Sequence, residues 1–374
     1  MIIKHAKVFR ENGGFENGDI SISGTFFAEA SEDNEVFDAR GCYAIPGLID
    51  LHMHGCVGYD FSDADTDVNG LQAMVRYQAA HGVTALCPTL LTLPEAQLEA
   101  ACKRVSICED PEGAAVVGIY LEGPFLSPNK CGAQNPDYIQ LPDIEMVCRL
   151  QREANGLLKL LAIAPEVDGA LELIKALSSE VGCSVAHTEA GYDTAKQAFG
   201  QGARQVTHLY NAMPPLHHRD PGVIGAAMDS THCRVELITD NVHSHPSAVR
   251  AAFRMFGDDR IILISDSISA TGLADGSYNL GGLAVEVRGN RSTLAESSTI
   301  AGSVTNLMDC VKTAVTEMEI SLVSAVKCAS VNPAKALGIY DQRGSIEAGK
   351  VADVVLLNEA LSIRAVFLRG KRIV

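Results

Sequence analysis

The middle of the chain repeats one pattern, a short apolar run followed by a segment with helical spacing of apolar residues. The candidate strands, rich in Val, Ile and Leu, are residues 45–54, 83–90, 116–122, 158–165, 183–188, 205–210, 234–239 and 261–266. Helical patterns separate them, most clearly at residues 67–81, 93–108, 168–181 and 245–256. Apolar runs joined by helical crossovers predict parallel strands. Eight such units in roughly 250 residues predict an α/β fold of the (β/α)8 TIM-barrel type.

The two ends of the chain have a different pattern. Residues 1–44 and 342–374 contain short β-prone runs separated by turn residues. We expect them to pair with each other in a small β-sandwich domain beside a barrel that spans residues 45–341. A further β-prone stretch at 277–299 carries Gly-Gly and Arg-Gly-Asn turn signals, which predict a hairpin inserted after the eighth strand.

Composition excludes several classes of protein. A chain of 374 residues that is 47% hydrophobic and 20% charged suits a globular protein with a large core. Its net charge of -16 argues against nucleic acid or an anionic membrane as a partner. The eleven cysteines include no CxxC pair, which favours reduced thiols. Since no apolar stretch is typical of a signal peptide or a membrane span, we expect a cytoplasmic protein.

Four polar residues stand at the ends of four of the apolar runs. They are Glu122 in LEGP, His187 in VAHT, His208 in VTHLYNAMPP and Asp266 in LISDS. A parallel barrel gathers the C-terminal ends of its strands into one mouth. Taken singly, each residue is well explained as a strand-end carboxylate or a core histidine. Together, the carboxylate of Glu122 and the two imidazoles predict a site for a catalytic divalent ion with a position open for water.

Two further histidines mark the end of the first strand. His52 and His54 are two residues apart, so both side chains point to the same side of the strand, and they form a candidate second metal site. Asp266 ends the last strand, which neighbours the first strand in a closed barrel. It is therefore a candidate general base towards water and then an acid for a leaving group. The alternative for Asp266 is an N-cap of the segment that follows.

Longer strings resemble those of the N-acetylglucosamine-6-phosphate deacetylases of the amidohydrolase superfamily. The strings are LEGPFLSPNKCGAQNP, AHTEAGYDTAKQAF, VTHLYNAMPPLHHRDPGVIGAA and ISDSISATGL, followed by NPAKALGI and GSIEAGKVADVVLL. The LEGP and THLYNAMPP strings are specific to that group, whereas PGLIDLHMHG is shared by many amidohydrolases. The resemblance runs from about residue 1 to the last residues of the chain.

The resemblance implies a reaction and a set of residue roles. The reaction is metal-dependent hydrolysis of N-acetylglucosamine-6-phosphate to glucosamine-6-phosphate and acetate, in amino-sugar catabolism and recycling. The principal metal is held by Glu122, His187 and His208, and Zn2+ is expected, although Fe2+, Mn2+ or Co2+ also suit such ligands and one or two ions can bind per subunit. The catalytic residues are Asp266 and His243. The implied substrate contacts are Ala133, Gln134, Asn211, Ala212, Arg219, His243, Ala301 and Gly302, with Arg219 reaching the phosphate from the second subunit of a homodimer.

Two departures from the family pattern leave the sugar open. Gln134 replaces a histidine and can hydrogen-bond a sugar hydroxyl without carrying charge. Asn241 replaces a glycine, and asparagine tolerates a left-handed backbone better than most residues. A deacetylase of N-acetylgalactosamine-6-phosphate or of another N-acyl amino-sugar phosphate is therefore an alternative.

A cyclic amidase and a non-catalytic binding protein are less well supported by the sequence. A cyclic amidase needs a carboxylated lysine at the end of the fourth strand, but that strand ends in Ala-Pro-Glu and has Lys159 at its start. A non-catalytic sugar-phosphate-binding protein is the more distant possibility, because degenerate relatives usually lose a metal ligand or the base, and this chain keeps both.

Overall fold

The computed structural model describes residues 1–30 and 35–374, so residues 31–34 of the predicted small domain lie outside the described residues. In chain order the strands are β1 (Ile2–Arg10), β2 (Gly14–Ser23), β3 (Phe26–Ala28), β4 (Val36–Asp38), β5 (Tyr43–Pro46), β6 (Leu48–Met53), β7 (Gly55–Cys56), β8 (Tyr59–Asp60), β9 (Val83–Leu90), β10 (Ala115–Val116), β11 (Ile119–Glu122), β12 (Leu158–Ile163), β13 (Gly182–Val185), β14 (Gln205–Val206), β15 (Arg234–Ile238), β16 (Ile261–Ile264), β17 (Gly276–Leu280), β18 (Leu283–Arg288), β19 (Arg291–Leu294), β20 (Val354–Leu357), β21 (Ile363–Leu368) and β22 (Lys371–Arg372).

The helices cover the outside of the strands in the middle of the chain. They are α1 (Val68–Ala80), α2 (Glu95–Ser106), α3 (Ile144–Glu153), α4 (Ala170–Leu177), α5 (Tyr192–Gln201), α6 (Gly222–Met228), α7 (Pro246–Phe256), α8 (Leu307–Thr316), α9 (Leu322–Ala329) and α10 (Val331–Leu337). The four helices predicted most clearly from the sequence are confirmed as α1, α2, α4 and α7. None of the helices in the described ranges is long and apolar enough to cross a membrane.

Within residues 35–374, eight strand positions form the predicted parallel barrel. Going round it, β6, β9, β11, β12, β13, β14, β15 and β16 each pair in parallel with the next. The ring closes where the backbone N–H of Asp266 donates to His52 O (2.9 Å) and that of His54 donates to Ser267 O (2.8 Å). All residues of β9 and β16 are buried, because helices cover parallel strands on the outside and side chains fill the interior.

The first predicted strand, residues 45–54, is divided between two sheets. Tyr43–Pro46 pairs antiparallel with β20 outside the barrel, with Val354 opposite Pro46, whereas Leu48–Met53 enters the barrel. Gly47 lies at the change of sheet, and its N–H donates to Asp353 O at 3.0 Å. Pro46 and Gly47, residues typical of a break in a strand, mark this point in the sequence, and the predicted strand wrongly ran through them.

The terminal segments form the separate β-domain that was predicted. In the described part of the chain its strands follow the order β22-β21-β20-β5-β1-β2-β3, with β4 pairing with β1. The domain has its own apolar core, which includes Ile3, Val8, Ile22, Val354 and Phe367. Strands from both ends of the chain are therefore hydrogen-bonded into one sheet.

The predicted excursion after the eighth strand has three antiparallel strands, β17–β19, where the sequence suggested a hairpin of two. Its Leu280 and Val285 pack against Leu91 and Ile268, which lie just beyond the ends of barrel strands. The excursion therefore covers one side of the barrel mouth.

We expect Gly47→Ala to destabilise the fold by about 1–3 kcal/mol, the usual cost of overpacking a filled interior. A methyl group at Gly47 would overlap the side chain of Thr84, which is buried. The control is Gly200→Ala in α5, where an added methyl group meets nothing within 4 Å, and we expect it to stabilise the helix by about 0.5–1 kcal/mol. Urea unfolding of both variants measures the difference, and a Gly47→Ala protein as stable as the wild type would contradict this account.

Candidate metal centre and active site

Glu122, the last residue of β11, is the centre of a buried cluster at the barrel mouth. Its Oε1 lies 3.0 Å from the Nε2 of His187 and 3.0 Å from the Nε2 of His208, and these two nitrogens are 3.1 Å apart. One carboxylate and two imidazoles that converge in this way form a donor set suited to a divalent ion. We call these three residues the Glu122 group.

A second cluster lies beside the first, and it consists of His52, His54 and Asp266. The Oδ1 of Asp266 lies 3.2 Å from His54 Nε2 and 3.4 Å from His52 Nε2. The ligand atoms of this Asp266 group are within 4.8 Å of one another, as they are in the Glu122 group. The Oε2 of Glu122 is 3.2 Å from His54 Nε2, so Glu122 lies between the two groups. The sequence paired His52 with His54 but assigned Asp266 only a proton-transfer role.

Hydrogen bonds on the far side of the rings decide which nitrogen faces the centre. The Nδ1 of His187 donates to Lys130 O at 2.9 Å, and the Nδ1 of His54 donates to Thr89 O at 3.1 Å. A ring that donates through Nδ1 presents the lone pair of Nε2 to a metal. The His52 ring has the same arrangement, with its Nδ1 2.9 Å from a carboxylate oxygen of Glu236.

The Nε2 atom of His52 tests whether these residues fit a metal ion. It is buried and has no hydrogen-bond partner among the described residues, although it faces carboxylate oxygens of Glu122 and Asp266 at 3.4–3.5 Å. Buried polar atoms are rarely left without a partner. A cation between this nitrogen and the carboxylates would satisfy all of them, so the donor set fits a metal ion.

Charge compensation dominates the electrostatics of the centre. Burial would raise the pKa of Glu122, but His52 and the hydrogen bonds from His187 and His208 hold that pKa well below its ordinary value. Burial likewise opposes ionisation of Asp266, and His52 and His54 lower its pKa. For His54, burial lowers the pKa, but Asp266 and Glu122 outweigh it and raise the pKa to about 10. The carboxylates are therefore ionised and balanced by positive charge, which a divalent ion also supplies.

His243 forms a separate buried pair with Asp240. Its Nδ1 donates to Asp240 Oδ2 at 2.8 Å, and Asp240 Oδ1 accepts the backbone N–H groups of Val242 and His243. Burial lowers the pKa of His243, but the carboxylate of Asp240 raises it above its ordinary value. Asn241 between them has a φ of 63°, the left-handed conformation that asparagine was expected to tolerate.

Three residues of the Glu122 and Asp266 groups have a left-handed backbone. The φ angles are 43° at His187, 27° at His208 and 51° at Asp266, and each residue lies just beyond the end of its strand. Such conformations are unfavourable for residues with a Cβ, by about 1–3 kcal/mol each, and they concentrate at functional sites. The chain therefore leaves three barrel strands through strained residues whose side chains belong to the centre.

A cavity of about 630 Å³ opens above the two groups. The predicted site residues that line it are His54, Glu122, Ala133, Gln134, His187, His208, Asn211, Ala212, His243, Asp266 and Gly302. His52 is fully buried beneath it, and Ala301 is buried outside the lining. Arg219 is exposed on a surface loop beside Tyr192 and Asp193 and does not line the cavity of its own chain.

Several residues at the cavity were not predicted from the sequence. The lining also includes Asn129 and Lys130 from the loop after β11, and Leu280, Arg291 and Thr299 from the excursion. The one available signal was the position of the excursion directly after the eighth strand, because loops at that end of a barrel surround the active site.

Gln134 contacts the metal centre as well as the cavity. Its Nε2 donates to Glu122 Oε2 at 2.5 Å, and its Oε1 accepts the N–H of Thr92 at 2.8 Å. The amide group is therefore fixed between the backbone and a candidate ligand. This restricts the freedom of Gln134 to contact a sugar hydroxyl.

The profile of the Amidohydrolase family matches residues 43–373, which is most of the chain. The chain belongs to the amidohydrolase family. Its relatives within that family include the N-acetylglucosamine-6-phosphate deacetylase of Bacillus subtilis, which is 36% identical over 99% of this chain and 96% of its own length. The human enzyme of the same name is 33% identical over 99% of this chain and 93% of its own length.

Solved structures of amidohydrolases confirm the fold. N-acetyl-D-glucosamine-6-phosphate deacetylase from Mycobacterium smegmatis, solved as a mutant in complex with N-acetyl-D-glucosamine-6-phosphate, superposes with a TM-score of 0.92 at 31% identity, over 100% of this chain and 99% of that one. The Thermotoga maritima enzyme gives a TM-score of 0.90 at 29% identity, with the same coverage. The chain is therefore a hydrolase with the barrel and small β-domain of these enzymes.

We expect Asp240→Asn to lower the pKa of His243, because burial then acts on the imidazole without the opposing carboxylate. In the wild type the raised pKa means that the pair stabilises the fold below the ordinary histidine pKa of about 6.5 and loses this contribution as pH rises through the folded value. NMR titration of the His243 ring measures both proteins, and an unchanged pKa in the variant would refute this role of Asp240.

Proposed function

We propose that this amidohydrolase removes the acetyl group of N-acetylglucosamine-6-phosphate, giving glucosamine-6-phosphate and acetate, and serves amino-sugar catabolism and recycling in the cytoplasm. The observation that carries the proposal is the pair of adjacent His–carboxylate groups below one cavity, with Glu122 between them. The full-length similarity to deacetylases of this name supports the choice of substrate.

Amide hydrolysis needs a polarised carbonyl, an activated water and a proton for the leaving amine. A divalent ion, for which we propose Zn2+, supplies the first two when bound by Glu122, His187 and His208. The pKa of Asp266 is lowered by His52 and His54 despite burial, so its carboxylate is ready to accept a proton from the attacking water. We propose that Asp266 then returns this proton to the leaving nitrogen.

His243 is suited to stabilise the negative charge that develops on the carbonyl oxygen. Its Nδ1 is committed to Asp240, and it lines the same cavity as Asp266. Because its pKa is raised, the imidazole tends to keep its proton and to offer an N–H donor from its other nitrogen. A donor fixed in advance at such a position is worth more than one that must reorganise during the reaction.

Recognition of the phosphate requires positive charge in a protein with a net charge of -16. In the chain itself, Lys130 and Arg291 line the cavity, together with Asn211 and Ala212. We propose that Arg219, which is exposed on its loop, completes the phosphate site of the second subunit in a homodimer. A guanidinium group can bind a phosphate through two parallel hydrogen bonds.

The experiment that tests the proposed substrate compares amine release from four compounds: the 6-phosphates of N-acetylglucosamine and N-acetylgalactosamine, and the two sugars without phosphate. We expect N-acetylglucosamine-6-phosphate to be the best substrate. Loss of the phosphate should reduce kcat/KM roughly 100-fold, because a hydrogen bond to a charged group contributes about 1.5–3 kcal/mol. Faster turnover of the galacto compound would replace the proposed sugar, and equal rates with and without phosphate would exclude the phosphate site.

We expect Asp266→Asn to reduce kcat about 10²–10⁴-fold, the usual contribution of a general acid–base residue. An amide cannot accept and return the proton, whereas the ion of the Glu122 group should remain bound. Asp65→Asn is the matched control, since Asp65 is an exposed carboxylate outside the cavity lining. Steady-state kinetics with elemental analysis of each sample provide the measurement, and full activity in Asp266→Asn would exclude it as the base.

A further inference from the structure

Glu236 is a buried carboxylate that the proposed reaction does not use. It lies in β15, the seventh barrel strand, and its exposed fraction is 0%. It does not line the cavity, so it cannot contact a substrate there. A buried carboxylate is costly unless its oxygens are hydrogen-bonded.

Both oxygens of Glu236 have partners inside the barrel. Oε1 accepts the side-chain N–H of Gln205 at 2.5 Å. Oε2 accepts the Nδ1–H of His52 at 2.9 Å and faces the backbone N–H of His208 at 3.3 Å. Gln205 thus holds the carboxylate from one side, and the other side is directed at His52.

The bond from His52 determines what the ring can do at the metal centre. A carboxylate can only accept, so the Nδ1 of His52 carries a proton, and in the neutral ring its Nε2 then offers the lone pair to an ion. That Nε2 is the buried atom without a hydrogen-bond partner among the described residues, and it faces Asp266 and Glu122. A carboxylate behind a metal-binding histidine fixes the ring and makes it a stronger ligand.

We propose that Glu236 is a positioning residue: through its bond to Nδ1 it holds the His52 ring so that Nε2 faces the place in the Asp266 group where an ion would bind. The inference rests on the proposed function in one respect, that the barrel mouth is a metal centre. It goes further by making metal binding at the Asp266 group depend on Glu236, a residue of β15 that contacts neither the substrate nor the ion.

The two groups depend on Glu236 to different degrees. In the Glu122 group, the His187 ring is fixed by the Lys130 carbonyl, and the His208 ring nitrogen Nδ1 has no hydrogen-bond partner among the described residues. Glu236 reaches His208 only through the backbone N–H, which does not select a tautomer. Removing the charge of Glu236 should therefore weaken metal binding by the Asp266 group and leave metal binding by the Glu122 group unchanged.

The test is metal binding by the full chain, without substrate, for wild type and Glu236→Gln. Each protein is equilibrated with buffered free Zn2+, and bound metal is measured by elemental analysis, with Co2+ absorption as a second signal. We expect two ions per wild-type chain. In the variant we expect the affinity of the Asp266 group for its ion to fall 10–100-fold, the usual effect of losing such a partner. The affinity of the Glu122 group should be unchanged.

Two further variants make the result specific. Ser184→Ala removes a buried hydroxyl that bonds Thr207 in the same barrel interior but does not touch His52, and we expect it to bind two ions like the wild type. His54→Asn removes a ligand of the Asp266 group, and its metal titration should resemble that of Glu236→Gln. One ion per wild-type chain, unchanged binding in Glu236→Gln, or equal weakening of both ions would each overturn the proposal.

A measurement on the wild type covers the case in which Glu236→Gln fails to fold. NMR of protein labelled with 15N-histidine should show the His52 proton on Nδ1 in the metal-loaded state, and a proton on Nε2 would overturn the proposal. Neither readout involves substrate. If Glu236→Gln selectively loses the second ion but the wild type hydrolyses no amino-sugar phosphate, the role of Glu236 is supported and the proposed reaction is rejected. If the wild type hydrolyses the substrate but Glu236→Gln binds both ions normally, the reaction is supported and the role of Glu236 is rejected.

Discussion

Buried negative charge is the constraint on which the rest of this structure depends. Three carboxylates share a small volume at and just below the barrel mouth, those of Glu122, Asp266 and Glu236. Each would be expensive to bury alone. They are compensated by imidazoles that approach from the ends of several strands, and the fold must hold these groups within about hydrogen-bond distance for the compensation to work. The same arrangement makes the centre suitable for cations.

Different parts of the barrel meet different parts of this constraint. Strand interiors supply packing and strand ends supply ligands. A backbone carbonyl of β9 and one from the loop after β11 select the ring nitrogens of His54 and His187. Backbone strain is concentrated at the three left-handed residues that follow barrel strands and belong to the centre. The excursion of β17–β19 then closes one side and contributes Arg291 to the cavity.

Much of this was predictable from local pattern, because a parallel barrel converts strand order into spatial proximity. The eight strands and the residues at their ends followed from apolar runs alone, and closure of the ring placed Asp266 beside His52. Glu236 was visible as an acidic residue inside the apolar run VELI. Its partner could not be inferred, since a single strand does not reveal which distant ring its inward side chain meets. Arg291 was missed for a similar reason, because its role depends on how the excursion folds over the mouth.

The small β-domain has a consequence for the order in which the chain can fold. β5 emerges early in synthesis, yet its antiparallel partner β20 follows only after the entire barrel has been made. Until then one edge of the N-terminal sheet is open, and open edges invite pairing with other chains. When β20 and β21 add to that sheet, they also tie the last segment of the chain to the strand that leads into β6. Completion of the domain can therefore act as a late locking step for a barrel that is already assembled.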